Sequence, residues 1–204
     1  MSRIEFSISD IIETSWNRFK QNPFFWIGIA FLNIILNPPA GLPPMVILPI
    51  TCLALYVSAS TTLMSIKYMR GELVGFTELS AIDFKVFFNY VLFTITALVG
   101  VVVGLFLFII PGLYLAVRLI FAPFLIVDRK MGFDQAIQES WHMTAKNEAK
   151  ITMYLLTIVL MFFAGFFLFL FGVILAFAVS ALCHANLYLI FLEKVNQYEN
   201  YDLN

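Results

Sequence analysis

The chain is 204 residues long, with 61% hydrophobic residues, 12% charged residues and a formal net charge of −1. A water-soluble globular domain carries about 25% charged residues, so this composition excludes a soluble fold and indicates a membrane protein. There is no clustered run of Lys and Arg that could follow a phosphate backbone, which argues against nucleic acid as a partner.

Three long windows, at residues 21–66, 86–127 and 151–192, lack charged residues except for Arg118. Each window is about twice the 20 residues that one helix needs to cross a hydrocarbon core of about 30 Å. Each window therefore predicts a hairpin of two crossings. We expect an all-α, polytopic membrane protein with six transmembrane helices, near residues 23–37, 45–66, 87–109, 111–127, 150–170 and 173–192.

Prolines and glycines predict where each hairpin reverses. The first reversal is expected in Asn37-Pro38-Pro39-Ala40-Gly41-Leu42-Pro43-Pro44, because proline lacks a backbone donor and clashes with the preceding helical turn. Pro111 and Gly112 predict the second reversal, and Gly172 predicts the third.

The basic residues predict how the chain is oriented. The loops between paired crossings hold no Lys or Arg, whereas the segments before, between and after the hairpins hold eleven of the twelve. By the positive-inside bias we expect both termini in the cytoplasm. Trp16, Trp26 and Trp141 lie near predicted span starts, where tryptophan rings are expected to anchor at headgroup level.

Two local similarities indicate internal repeats within one membrane domain, residues 1–204. Ser15-Trp16 recurs as Ser140-Trp141 at a spacing of 125 residues, and Gly75-Phe76-Thr77 resembles Gly132-Phe133-Asp134 at a spacing of 57. The predicted repeats cover about 7–70, 75–130 and 132–194. Each would consist of a short amphipathic helix on the cytoplasmic side followed by a transmembrane hairpin, with Ser9, Thr77 and Asp134 as candidate N-caps.

Arg118 is the strongest candidate for a functional residue. It precedes Asp128 by ten residues, roughly 15 Å of helix, which predicts a position near mid-membrane with no Asp or Glu in any window to pair with it. The expected partners are neutral side chains, backbone carbonyls, water or an anionic ligand. Snorkelling toward the outer face is a further alternative, because Pro111 is only about 10 Å away along the helix.

The repeat spacings align Arg118 with Thr61 and Asn186, and Ser58 and His184 lie close to these positions in sequence. The five residues together predict one polar layer inside the bundle. Hydrogen bonding between helices explains such a layer without any ligand. The functional alternative is that Arg118, with Asn186 and His184 beside it, receives an anionic group such as a lipid phosphate.

Motifs for catalysis, cofactor binding or metal binding are missing. The sequence has no His-Glu-x-x-His, Cys-x-x-Cys or Gly-x-Ser-x-Gly, and no glycine loop for phosphate. Cys52 and Cys183 fall inside predicted spans and are interpreted as packing residues. We therefore expect no enzyme activity, no cofactor and no metal site.

One stretch resembles a known family. Ile110-Pro111-Gly112-Leu113-Tyr114-Leu115-Ala116-Val117-Arg118-Leu119-Ile120-Phe121-Ala122-Pro123-Phe124-Leu125-Ile126-Val127-Asp128, followed by Ala136-Ile137-Gln138-Glu139-Ser140-Trp141, is similar to the YciC-like family of bacterial inner-membrane proteins. It is also similar to the related membrane domain attached to some glycerophosphodiester phosphodiesterases. The resemblance implies a six-helix protein of the bacterial inner membrane, with Pro111, Gly112, Asp128, Trp16 and Trp141 as structural motif residues, and it implies no catalytic residue.

Three functional interpretations follow. The first is a non-enzymatic protein of envelope or lipid homeostasis, whose partner is membrane phospholipid and whose Arg118 layer binds an anionic headgroup. The second is a small transporter or channel for an anionic or polar solute. The third is a scaffold subunit of a membrane complex. A single charged group in six spans is sparse for a solute pathway, which favours the first.

Overall fold

The computed structural model of the chain describes residues 4–38 and 42–202. Within these residues the fold is entirely helical, as expected, with no β-strand and one short 3₁₀ helix, Phe76–Ser80. The α-helices of this part of the chain are α1 (Ile8–Gln21), α2 (Pro23–Ile35), α3 (Pro44–Met69), α4 (Phe84–Leu107), α5 (Ile109–Leu119), α6 (Ala122–Arg129), α7 (Phe133–Thr144), α8 (Glu148–Phe167) and α9 (Phe169–Asp202).

Five helical stretches are long and apolar enough to cross a membrane, so the chain is a multi-pass membrane protein. These stretches are Pro44–Met69, Phe84–Leu107, Ile110–Arg129, Glu148–Phe167 and Phe171–Gln197. The expected first crossing corresponds to α2, which has only 13 residues. At 1.5 Å per residue α2 rises about 20 Å, which is shorter than the hydrocarbon core. A sixth crossing and the arrangement of three hairpins therefore stay predictions.

The hairpin of α4 and α5 reverses at Phe108, whose backbone is extended, and not at Pro111 and Gly112 as the sequence predicted. Both predicted residues lie within α5. Proline is tolerated there because the first backbone N–H groups of a helix have no intrahelical partner. Gly112 serves close packing, since a Cβ on Gly104 of α4 would lie 2.9 Å from its Cα.

The hairpin of α8 and α9 repeats this glycine contact. Its reversal is at Leu168, four residues before the predicted Gly172. Gly172 lies inside α9 against Gly165 of α8, where an added Cβ on Gly165 would meet the Gly172 carbonyl oxygen at 2.6 Å. In both hairpins the glycines let two backbones approach closely, as small residues do in membrane helices.

The first window has a different arrangement. α2 ends at Ile35 and α3 begins at Pro44, as the proline run predicted, while residues 39–41 of that turn lie outside the described residues. α2 packs more extensively on α9 than on α3. Trp26 is 1% exposed and packs on Tyr68, so the expectation that it anchors at headgroup level is wrong.

Each of the three short elements packs on one or two neighbouring helices. The 3₁₀ helix packs on α3, α7 packs on α5 and α6, and α1 packs on α9. All three N-cap predictions were wrong by two residues, because the caps are Ser7, Gly75 and Gly132. The internal repeats and their boundaries stay a prediction.

Asp128 joins the C-terminal ends of α3 and α6 to the middle of α9. Its carboxylate accepts two hydrogen bonds from Arg70, at 2.6 and 2.7 Å, and one from the Tyr188 hydroxyl at 2.9 Å. The hydrogen bond to Asp128 is the main reason that the pKa of Arg70 is raised. Phe121, just before α6, also contacts Tyr188, with ring centroids 6.3 Å apart. Tyr188 therefore contacts residues near both ends of α6.

Candidate functional site

Arg118 lies in the last turn of α5, just before the break between α5 and α6. The break is expected at Pro123, which cannot donate a backbone hydrogen bond. Ser140 of α7 satisfies the backbone groups at the break, since its hydroxyl donates to the Arg118 carbonyl at 2.7 Å and accepts from the Phe121 amide at 3.1 Å. The serine of the Ser140-Trp141 pair thus docks α7 beside Arg118.

The guanidinium of Arg118 is enclosed by protein groups and its residue is only 8% exposed. Nε and Nη2 donate to the Tyr114 hydroxyl at 2.9 and 2.8 Å, and Nη1 donates to the Trp141 carbonyl at 3.1 Å and the Thr144 hydroxyl at 3.3 Å. The rings of Tyr114 and Trp141 lie 5.0 and 5.1 Å from the guanidinium carbon, within cation–π range. These contacts fix the position of the charge.

An acidic partner completes the site, contrary to the sequence-based expectation. Glu148, the first residue of α8, places Oε1 2.7 Å from Nη2 of Arg118. The pair joins Arg118 to a residue that lies outside the charge-poor windows. The depth of Arg118 in the membrane stays a prediction.

Three of the other predicted site residues meet in a cavity away from Arg118. Ser58 and Thr61 of α3 and His184 of α9 line this cavity of about 170 Å³, together with Asn33 of α2. Asn33 donates to the Thr61 hydroxyl at 2.9 Å, the Ser58 and Tyr90 hydroxyls are 3.1 Å apart, and His184 Nδ1 is 2.7 Å from the Ser180 carbonyl oxygen. The lining combines these polar groups with the apolar side chains of Phe124, Phe177 and Ala181, and it includes no Asp, Glu, Lys or Arg.

Asn186 belongs to neither place. Its amide donates to the Ile11 carbonyl of α1 at 3.4 Å, which helps to hold α1 on α9. The predicted single layer is therefore divided among three places in the bundle. α5 ends just after Arg118, whereas α3 and α9 continue past Thr61 and Asn186. The register between the repeats stays a prediction.

Trp16 and Trp141, predicted as motif residues, are both partly exposed, at 39% and 38%. Trp16 stacks on Phe19 of α1 with ring centroids 5.4 Å apart, whereas Trp141 faces Arg118. Their surroundings differ although their positions in the predicted repeats match.

Sequence reasoning missed Tyr114, Glu148 and Asn33. Tyr114 precedes Arg118 by four residues, the spacing that puts two side chains on one helical face, so it could have been found. Asn33 is an isolated amide in an apolar run, so it could also have been found from the sequence. Glu148 lies 30 residues from Arg118 and outside every apolar window, and no local pattern joins the two. Among residues 4–38 and 42–202, no group of three His, Cys, Asp or Glu side chains could hold a metal ion.

Residues 90–192 match the family described as the membrane domain of glycerophosphoryl diester phosphodiesterase. The match covers 103 residues (192 − 90 + 1) of 204, slightly more than half of the chain, and includes Tyr114, Arg118, Trp141 and Glu148. No curated protein and no solved structure matches the chain. The resemblance to this membrane domain is confirmed, and the YciC-like assignment stays a prediction.

Proposed function

Since this chain belongs to the family of the membrane domain of glycerophosphoryl diester phosphodiesterase, we propose that it is a lipid-binding protein of the bacterial envelope. In this proposal Arg118 receives the phosphate of an anionic phospholipid. The role is one of binding, not catalysis. The observation that supports this proposal is the Arg118 cluster, which consists of Arg118, Tyr114, Trp141 and Glu148. In this cluster the buried guanidinium lies against two aromatic rings and pairs with one carboxylate.

The two members of the ion pair differ in exposure. The side chain of Arg118 is 10% exposed and that of Glu148 is 33% exposed. Glu148 can therefore move away while Tyr114, Trp141 and Thr144 still hold the guanidinium. A phosphate presents oxygens to an arginine in the same paired geometry as a carboxylate. Glu148 would then occupy the position of the lipid phosphate until a lipid displaces it.

The exposed parts of the cluster support a lipid ligand. Tyr114 is 41% exposed and Trp141 is 38% exposed, and their rings pack edge to face with centroids 5.8 Å apart. Tyrosine and tryptophan favour the boundary between headgroups and acyl chains, because each has an apolar ring and one polar group. A phosphate arriving from this side would meet Arg118 between the two rings.

Native mass spectrometry in detergent with added phosphatidylglycerol tests the proposal. Glu148→Gln removes the competing carboxylate, so this variant should retain more phosphatidylglycerol than the parent protein. Arg118→Ala should retain less. Glu193→Gln, at an exposed position on α9, removes the same charge elsewhere and should behave like the parent.

Two results would contradict the proposal. Glu148→Gln could retain no more lipid than Glu193→Gln, or Arg118→Ala could retain as much as the parent. If Arg118→Ala fails to fold because Glu148 loses its partner, the double variant Arg118→Met/Glu148→Gln carries no charge at the site and replaces it in the comparison.

A second candidate function rests on the cavity between α2, α3 and α9. Its hydroxyl, amide and imidazole groups suit a small polar solute, as in the transporter interpretation. Solute flux into proteoliposomes that Thr61→Val abolishes, with the fold intact, would favour transport. Parent protein that carries no polar solute across the bilayer would count against it.

We also propose that the protein lies in the bacterial inner membrane with both termini in the cytoplasm. The ion pairs Lys67–Glu78, Arg70–Asp128 and Lys130–Asp83 support this orientation. Lys67–Glu78 and Lys130–Asp83 join the C-terminal ends of α3 and α6 to the segment before α4, and Arg70–Asp128 joins α3 to α6. Basic residues thus gather where the positive-inside bias expects the cytoplasm.

A further inference from the structure

An apolar groove of about 220 Å³ lies between α1 and the hairpin of α8 and α9. Every residue that lines it is apolar. Ala164, Gly165, Gly172 and Ala176 contribute little or no side chain, which leaves room between the two hairpin helices and α1. Trp16 belongs to its α1 side, together with Ile12.

The groove opens toward the hydrocarbon region. Its lining residues from α8 and α9 come from the two apolar stretches Glu148–Phe167 and Phe171–Gln197, which are long enough to cross a membrane. Water in such a groove would find no polar partner, and ordered water in a protein needs two to four. Acyl chains are the medium that surrounds these helices in a bilayer.

Helix α1 is held against two membrane helices and forms one side of the groove. Its Ile11 carbonyl accepts from Asn186 of α9, and its Arg18 carbonyl accepts from Tyr68 of α3 at 2.9 Å. Its outer face is exposed and carries charged residues, including Asp10, Glu13 and Lys20. A helix with such a charged face suits the membrane surface.

We infer that the groove binds one acyl chain of a phospholipid, with Trp16 packed against the chain below the headgroup. Lys20 lies one helical turn beyond Trp16 on the same side of α1, where its ammonium can reach the phosphate of that lipid. This inference rests on the proposed lipid-binding function. It adds a second lipid contact, for one acyl chain, at a site separate from Arg118.

Quenching of tryptophan fluorescence by brominated phosphatidylcholine in reconstituted vesicles tests the inference. The signal of Trp16 is the difference between the parent and Trp16→Phe. Ala164 is exposed within the groove, so Ala164→Phe should fill the groove without disturbing the core. The bromine quenching of Trp16 should be lost in Ala164→Phe and kept in Val102→Phe, a control at an exposed position of α4 outside the groove.

Unchanged quenching of Trp16 in folded Ala164→Phe would overturn the inference. A parent protein whose Trp16 is not quenched, because a second protein copy covers the groove, would also overturn it. Ile12→Phe fills the groove from α1 and replaces Ala164→Phe if that variant misfolds. Arg118→Ala should leave the quenching intact, because phosphatidylcholine tests the chain site without an anionic headgroup. The acyl-chain site and the phosphate site can therefore fail independently.

Discussion

At the candidate site, the Arg118 guanidinium donates to the Tyr114 hydroxyl and pairs with the Glu148 carboxylate. A charge inside an apolar run is costly, and the sequence singled out Arg118 for that reason. The sequence could not supply its partner, because Glu148 is brought to Arg118 only when α7 folds back along the break between α5 and α6. Local spacing can reveal a pair such as Tyr114 and Arg118, whereas a long-range ion pair requires the tertiary fold.

Asp128 should be among the most sensitive polar residues of the protein. Its side chain is 6% exposed and binds both Arg70 and Tyr188. Asp128→Asn removes hydrogen bonds to a buried charge, which stabilise by about 1.5–3 kcal/mol each. We expect the midpoint of thermal unfolding in detergent to fall clearly.

Asp83→Asn is the matched control for this substitution. Asp83 pairs with Lys130, but the two side chains are 62% and 68% exposed. Exposed ion pairs contribute about 0–1 kcal/mol, so the unfolding midpoint should hardly change. Equal midpoints for Asp128→Asn and the parent would show that the Asp128 network does not stabilise the bundle.

At the level of elements, the charge-poor windows predicted the long helices well and the ends of those helices less well. Proline and glycine were interpreted as turn signals at Pro111, Gly112 and Gly172. In the structure these residues lie inside helices, where proline is tolerated in the first turn and glycine permits backbone contact. A glycine at a turn and a glycine at a helix contact look the same in sequence, because they differ only in whether another helix packs against them.

The pair Gly100 and Gly104 of α4 gives a direct test of this packing. A Cβ on Gly104 would lie 2.9 Å from the Gly112 Cα, whereas the nearest neighbour of a Cβ on Gly100 would be Cδ1 of Leu115, at 4.0 Å. Gly104→Ala should therefore force α4 and α5 apart and destabilise the protein by about 1–3 kcal/mol. Gly100→Ala should be neutral or stabilise it by up to about 1 kcal/mol.

Thermal unfolding of the two glycine variants under one detergent condition provides the comparison. A Gly104→Ala variant as stable as Gly100→Ala would mean that the two helices are not held in the close contact described for them.

At the level of the whole molecule, hydropathy was sufficient for the class of protein and not for its arrangement. The windows predicted a helical multi-pass protein, and the structure and the family match agree with that prediction. They could not predict that α2 would pack mainly on α9, or that α1 would also pack on α9. These contacts join distant parts of the chain, and apolar surfaces of similar composition could pair in several ways.

Cysteine labelling tests the proposed orientation of the whole molecule. In a background without Cys52 and Cys183, Ser80→Cys lies before α4 and Asn37→Cys lies at the opposite end of α3. A membrane-impermeant maleimide added outside intact spheroplasts should label Asn37→Cys and spare Ser80→Cys. The reverse pattern would place the termini outside and contradict the orientation.

The most direct measurement of the central claim is an experimental structure of the protein in nanodiscs that contain phosphatidylglycerol. We expect density for a lipid phosphate within hydrogen-bonding distance of the Arg118 guanidinium, between the rings of Tyr114 and Trp141, with the Glu148 carboxylate turned away. A structure at sufficient resolution in which Glu148 still pairs with Arg118, and no phosphate lies beside them, would contradict the proposal that Arg118 binds lipid.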